Sequence, residues 1–289
     1  MADESMSAIQ FFTTPKGDLP HYSFIFSNME PVGTEMKNFV CLRLGKILHL
    51  EIQKGKEAMK TSNFQKYLGG TTACIKKLAI ATERCGQLTS NYTYFSGSWF
   101  SSVKTADEMA ATGVNYCGPV KTDHKGFCLA TLERLMKYWL GGSYLVIKSN
   151  PIFTDKRPLL AIGYKYNSRK VLGFIATEGA ESTESGDLYL SHFPDIFSSV
   201  YVRPLVHPHL LGRYFDTCNA IDNQNRIRKS DITLEKYWVT QSGYFRLATT
   251  VSLGMGITDG KLLYCHGVVE GNVDKKISNF EYNNRAVYD

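Results

Sequence analysis

The segment from residue 92 to residue 112 most constrains what this chain can fold into. The apolar and aromatic residues 92–95 predict a buried strand. A turn at Gly97 and Ser98 follows, then the aromatic pair Trp99 and Phe100 and two serines, and residues 103–112 predict a helix. A strand that ends in a turn and leads directly into a helix favours a mixed α/β protein over an all-β one.

The rest of the chain predicts the same mixed order of elements. Strands are predicted at 39–42, 47–52 and 114–120, helices at 72–84 and 128–140, a strand-rich stretch at 143–190 and helices over 210–256 that end near Gly254, Gly256 and Gly260. We therefore predict three regions. Residues 1–38 form an irregular N-terminal segment, residues 39–260 form the domain, and residues 261–289 form a polar tail.

Composition and charge narrow the class of protein. The chain has 289 residues, of which 43% are hydrophobic, and a net charge of +6. No apolar run reaches the roughly 18–20 residues that span a bilayer, and the first residues lack a secretory signal. The seven cysteines are scattered without close pairs, a pattern typical of reduced thiols. These features predict an intracellular protein that is not in a membrane.

Four segments in the same order resemble the catalytic domain of piggyBac-type transposases. They lie at residues 50–56, 99–102, 116–126 and 202–222. The resemblance covers about residues 39–256 and implies a ribonuclease-H-like α/β core of the DDE type, with a strand-rich insertion at about 143–200 and C-terminal helices. It also implies a transposable-element origin, DNA as a partner and a nuclear location if the protein is functional. A homodimer is a further expectation, and no small-molecule cofactor is expected.

The resemblance implies an acidic metal site that this chain has largely lost. The first acidic position falls at Cys41, the second at Gly97, the third at Asp222 and a supporting one at Asn225. Only Asp222 is anionic. Active family members use Mg²⁺, and a pair of such ions needs several oxygen ligands. We therefore expect no metal cofactor in this chain, and we expect a pseudoenzyme.

Two alternatives stay open at this point. One alternative to the pseudoenzyme is a retained DNA-binding or dimerising module. The other is an active strand-transfer enzyme whose ligands are relocated to Glu51 or Asp107. For DNA contact, the predicted basic residues are Lys121, Lys125, Arg226, Arg228 and Lys229. Trp139 and the aromatic residues of 143–175 are predicted to be core residues and not a platform for nucleic-acid bases.

Overall fold

The computed structural model describes residues 1–8, 21–25, 32–41, 46–84, 92–121, 124, 126–149, 157–177, 189–194, 200–205, 208–218, 220–226 and 242–269. The chain divides into two compact units. The first comprises Met1–Gly70, Lys77–Gln87 and Asn219–Asp289, and the second comprises Thr71–Lys76 and Leu88–Cys218. The single predicted domain of residues 39–260 thus contributes to both units, and we describe each unit separately.

Helices and strands are mixed along the chain and alternate in its central part. The strands are β1 (Ala2–Ala8), β2 (Ser23–Phe24), β3 (Val32–Cys41), β4 (Lys46–Ile52), β5 (Thr93–Phe95), β6 (Asn115–Val120), β7 (Tyr144–Lys148), β8 (Leu159–Lys165), β9 (Val171–Thr177), β10 (Tyr189–Pro194) and β11 (Val200–Leu205). The helices are α1 (Lys56–Lys60), α2 (Gln65–Leu68), α3 (Gly70–Arg84), α4 (Val103–Ala111), α5 (Leu129–Leu135), α6 (His209–Thr217), α7 (Ala220–Arg226) and α8 (Gly243–Val269).

The first unit contains an antiparallel sheet in which β3 pairs with β1, β2 and β4. Helices α7 and α8 pack on this sheet, α7 against β1 and β3 and α8 against β4 and β1. The prediction that residues 1–38 are irregular is wrong, because β1 and most of β3 lie within them. The sequence of β1 has no β-branched residue, and the strand forms through its pairing with β3, from Ala2 opposite Phe39 to Ala8 opposite Gly33.

Helix α8 crosses the predicted boundary between domain and tail. The glycines at 254, 256 and 260 were expected to end the helical pattern, but α8 continues through them to Val269. A glycine costs about 1 kcal/mol in a helix, which tertiary packing can offset. At Gly254 an added Cβ would lie 3.4 Å from Ile47 Cδ1 of β4, an ordinary van der Waals distance, so the helix lies on this strand without a steric need for glycine there.

The second unit contains a five-stranded sheet in the order β5-β6-β9-β8-β7 and the antiparallel pair β10-β11. Strands β5 and β6 are parallel and are connected by α4, while the other pairings are antiparallel. The predicted strand-rich stretch at 143–190 corresponds to β7, β8, β9 and the start of β10. The predicted helix at 128–140 is shorter, since α5 ends at Leu135 and a turn follows.

Candidate functional site

The structure places the four positions of the expected acidic site on one strand, one turn and one helix. Cys41 is the last residue of β3, is half-buried and lies opposite Lys46 of β4. Asp222 and Asn225 lie on α7, where Asp222 is exposed. These three residues belong to the first unit, and Gly97 belongs to the turn that follows β5 in the second unit. The assignment of these positions to a common site stays a prediction.

A second acid, Asp3, lies in the first unit on the strand against which α7 packs. Asp3 is half-buried on β1, and its backbone pairs with Asn38 of β3. Its carboxyl interacts electrostatically with that of Asp222. Asp3 is not among the site residues predicted from the sequence, because the first residues were predicted to be irregular. The signal was an acid at the third position of a segment that can pair with residues 33–39.

The environment of Asp3 disfavours its charged form. Burial is the largest cause, and it raises the pKa of Asp3 from 3.8 to about 6. The negative charges of Glu4 and Asp222 raise it further, whereas the hydrogen bond from the backbone N–H of Glu4 to Asp3 Oδ1, at 3.0 Å, lowers it. A buried carboxyl near a second acid is typical of functional sites, although structural ion pairs also shift pKa values.

The buried cation of this sheet, Lys37, pairs with Glu4 and Glu35 and not with Asp3. Lys37 Nζ donates to Glu4 Oε1 at 3.1 Å and to Glu35 Oε1, and the Lys37 side chain is only 1% exposed. Lys37 lies directly opposite Glu4 in the register, one residue from the pair of Asp3 and Asn38. Because successive side chains of a strand alternate between faces, Lys37 shares a face with Glu4 and not with Asp3. The charge of Lys37 lowers the pKa of Asp3 by less than the charges of Glu4 and Asp222 raise it.

The face of the sheet that carries Asp3 also borders a small cavity. The cavity has a volume of about 20 Å³, and α7 and α8 cover it. Its polar lining comes from Ser5, Asn38, Asn225 and Thr250. Asn38 donates from Nδ2 to Ser5 Oγ, while no described residue donates to its buried Oδ1 atom. The space is large enough for a water molecule, although most of its lining is apolar, and Asn225 contributes to it as a neutral side chain.

The turn after β5 contains a closed group of neutral hydroxyls. Ser96 Oγ lies 2.9 Å from Ser101 Oγ, the hydroxyl of Tyr116 donates to Ser101 Oγ at 3.1 Å, and Ser96 Oγ and Tyr116 are also hydrogen-bonded. Ser101 Oγ in turn donates to the carbonyl of Gly97 at 3.1 Å. We call Ser96, Ser101 and Tyr116 the hydroxyl cluster. All three are buried, and burial raises the pKa of Tyr116 to about 12, so the cluster is uncharged at neutral pH.

Neighbouring residues fix the geometry of the hydroxyl cluster. An added Cβ at Gly118 of β6 would lie 2.0 Å from Ser101 Oγ, so only glycine leaves room for the cluster there. Ser102 caps α4, since its Oγ accepts from the N–H of Thr105 at 2.9 Å. The predicted boundary between turn and helix at residues 102 and 103 is confirmed by this cap.

The proposed basic and relocated acidic residues are spread over the fold. Lys121 follows β6 and Arg226 ends α7, and both are exposed. Lys125, Arg228 and Lys229 lie outside the described residues. Glu51 of β4 forms an ion pair with Lys77, so its charge is already matched by a cation. Asp107 is half-buried on α4 in the second unit.

The donor set of the described residues does not fit a pair of metal ions. Within the described ranges, no group of three or more His, Cys, Asp or Glu side chains is placed to hold a metal ion. Asp3 and Asp222 provide two carboxyl groups, and a paired site needs more oxygen ligands than these.

In the part of the chain that the structure covers, no helix has both the length and the low polarity that crossing a membrane requires.

Comparison with other proteins identifies the fold. No family model and no curated protein sequence matches this chain. A solved structure with a similar fold is the piggyBac transposase in its synaptic complex with hairpin DNA, with a TM-score of 0.67 and 12% sequence identity. The alignment covers 99% of this chain and 50% of that protein, so the chain spans half the length of this neighbour. The similarity confirms a piggyBac-like mixed α/β fold.

Proposed function

We propose that this chain is a transposase-derived domain that no longer catalyses metal-dependent DNA strand transfer and that binds DNA through its phosphates. The observation that carries the proposal is the neutral turn after β5. Its Gly97 has no side chain, and the adjacent hydroxyl cluster is buried and uncharged. The parallel pair β5-β6 with α4 between them is also compatible with a ribonuclease-H-like core.

In this proposal Asp3, and not Cys41, occupies the first acidic position. Its interaction with Asp222 supports the assignment. A carboxyl group is a hard oxygen ligand, whereas a neutral thiol is a poor ligand for Mg²⁺. Two acids are then retained and two are replaced, at Gly97 and Asn225. Strand transfer by two metal ions fails in this arrangement because too few anionic oxygens remain to hold both ions.

The first prediction is that the purified protein neither nicks nor joins DNA. Supercoiled plasmid and labelled duplex should stay intact in Mg²⁺ and in Mn²⁺, with the Asp222→Ala variant as the matched control. Cleavage that also occurs with Asp222→Ala comes from a contaminant. Metal-dependent cleavage by the unmodified chain that Asp222→Ala abolishes would contradict the proposal and favour relocated acidic ligands.

The second prediction is that the protein binds duplex DNA weakly. We expect the binding affinity to fall steeply as the salt concentration rises. Each neutralised phosphate contributes about −0.9 to the slope of log K against log salt. Lys121 and Arg226 are exposed, so the Lys121→Ala and Arg226→Ala variants should each make this slope shallower by about 0.9. Anisotropy titrations of labelled duplexes of unrelated sequence measure both effects.

Lys60→Ala is the control for these basic residues. Lys60 is exposed but is paired with Glu57 at 2.7 Å, and the variant should leave the slope unchanged. Tight binding to one sequence only, at a salt concentration that removes binding to the others, would contradict phosphate-dominated binding. Such a result would instead favour a retained sequence-specific module.

A role in DNA binding implies a nuclear location.

A further inference from the structure

An exposed apolar and aromatic segment follows α5 in the second unit. The exposed fractions are 87% for Tyr138, 41% for Trp139 and 62% for Leu140. We call these three residues the aromatic platform. Clustered apolar side chains on a surface mark interaction sites more often than isolated ones do. The prediction that Trp139 is a core residue is wrong, because its side chain is exposed.

Buried neighbours hold the platform in place. Leu132 and Met136 are fully buried, and both lie beneath Gly163 of β8, where an added Cβ would come within 2.8 Å of Met136 Sδ. The N–H of Trp139 donates to the carbonyl of Met136 at 3.1 Å and closes the turn after α5. The exposed side chains thus project from a turn that is anchored in the core, which lowers the entropy lost on binding.

Hydrogen bonds join the segment that carries the platform to the end of β8. The N–H of Gly142 donates to the carbonyl of Lys165 at 2.6 Å, and the N–H of Lys165 donates to the carbonyl of Ser143 at 2.8 Å. Lys165 Nζ, on a buried side chain, reaches the carbonyl of Lys137 at 3.4 Å. These bonds fix the backbone on both sides of the exposed rings.

The segment that carries the platform is positively charged. Residues 133–142 carry the exposed cations Arg134 and Lys137 against the single acid Glu133. Lys137 Nζ lies 5.2 Å from the centroid of the Tyr138 ring. Cations interleaved with exposed aromatic rings match a polyanion whose bases are free to stack. The bases of a duplex are already stacked inside it, so this combination fits unpaired nucleotides.

We propose that the aromatic platform binds single-stranded nucleic acid. Bases stack on the rings of Tyr138 and Trp139, and Arg134 and Lys137 contact the phosphates. This inference goes beyond the proposed function, which concerns duplex DNA and the phosphate contacts of Lys121 and Arg226. The two are separable, because stacking depends on ring faces while duplex binding depends on charge.

The test compares a labelled oligothymidine of about 16 nucleotides with a duplex of equal length by fluorescence anisotropy, using the full chain. The double variant Tyr138→Ala with Trp139→Ala should weaken single-strand binding at least about fivefold for each ring removed and leave duplex binding unchanged. Tyr138→Phe keeps the ring and should bind as the unmodified chain does. Lys137→Ala should make the salt slope shallower by about 0.7.

Tyr67→Ala is the matched control, since Tyr67 is 76% exposed beside Lys66 but lies in the first unit. It should leave single-strand affinity unchanged. Equal single-strand affinity of the double variant and the unmodified chain would overturn the inference, as would an equal loss of duplex affinity. It would also be overturned if sedimentation showed a dimer that the double variant dissociates, because the platform would then bind a second copy. Failure of duplex binding alone would overturn only the proposed function.

Discussion

Replacing Asp3 with asparagine is expected to stabilise the protein at neutral pH by about 2–3 kcal/mol. Burial raises the pKa of Asp3 from 3.8 to about 6, and each pKa unit corresponds to about 1.4 kcal/mol. At neutral pH the folded protein holds a carboxylate in an environment that favours the neutral acid. Asparagine removes this charge and keeps the oxygen that accepts from the N–H of Glu4.

The pH dependence gives this prediction its sign. Between pH 4 and pH 6, roughly, the folded chain retains the proton on Asp3 and the unfolded chain has released it, so the free energy of unfolding falls as pH rises. Below this window the acid is protonated in both states and its penalty is absent. The Asn variant should therefore show a flatter pH profile, and its advantage should appear only above about pH 4.

Urea unfolding at several pH values measures the difference. Glu57→Gln is the control, because Glu57 is an exposed acid of the same unit in a surface ion pair that contributes little. Profiles of the Asp3→Asn variant and the unmodified chain that run parallel from pH 4 to pH 7 would show that Asp3 is not desolvated. A stabilising Asn variant would fit a functional origin for the Asp3 position, since functional sites often reduce stability.

Replacing Phe174 with alanine is expected to cost about 3–5 kcal/mol of stability. Phe174 lies on β9 and is 1% exposed. Its ring packs edge to face against Tyr214 and Phe215 of α6, with centroid distances of 5.2 and 5.9 Å. The variant leaves a cavity and also removes two of the ring contacts that hold α6 against the sheet.

Thermal and urea unfolding measure this effect, with Phe24→Ala as the control of the same chemistry. Phe24 is 66% exposed on β2, so its truncation should change stability by less than about 1 kcal/mol. Similar losses for the two variants would mean that Phe174 does not occupy a packed core. A loss at Phe174 below about 1 kcal/mol would contradict the arrangement of α6 on the sheet.

Local sequence patterns predicted the elements whose formation depends mainly on neighbouring residues. The aromatic run of β5 and the start of α4 after Ser102 could be predicted, because strand propensity and helix capping depend on neighbouring residues. The short motifs around residues 99–102 and 202–222 also indicated the piggyBac-like fold, which the structural comparison supports. These features could be predicted from the sequence alone.

Contacts between distant residues decided the rest. Strand β1 has little intrinsic preference for a strand and forms by pairing with β3, which places Asp3 on the strand that α7 covers. Helix α8 passes through three glycines because it packs on β4, and Trp139 lies on the surface because Met136 fills the space beneath β8. Pairing and packing energies depend on partners far away in sequence, so only the tertiary structure identifies Asp3 and the aromatic platform.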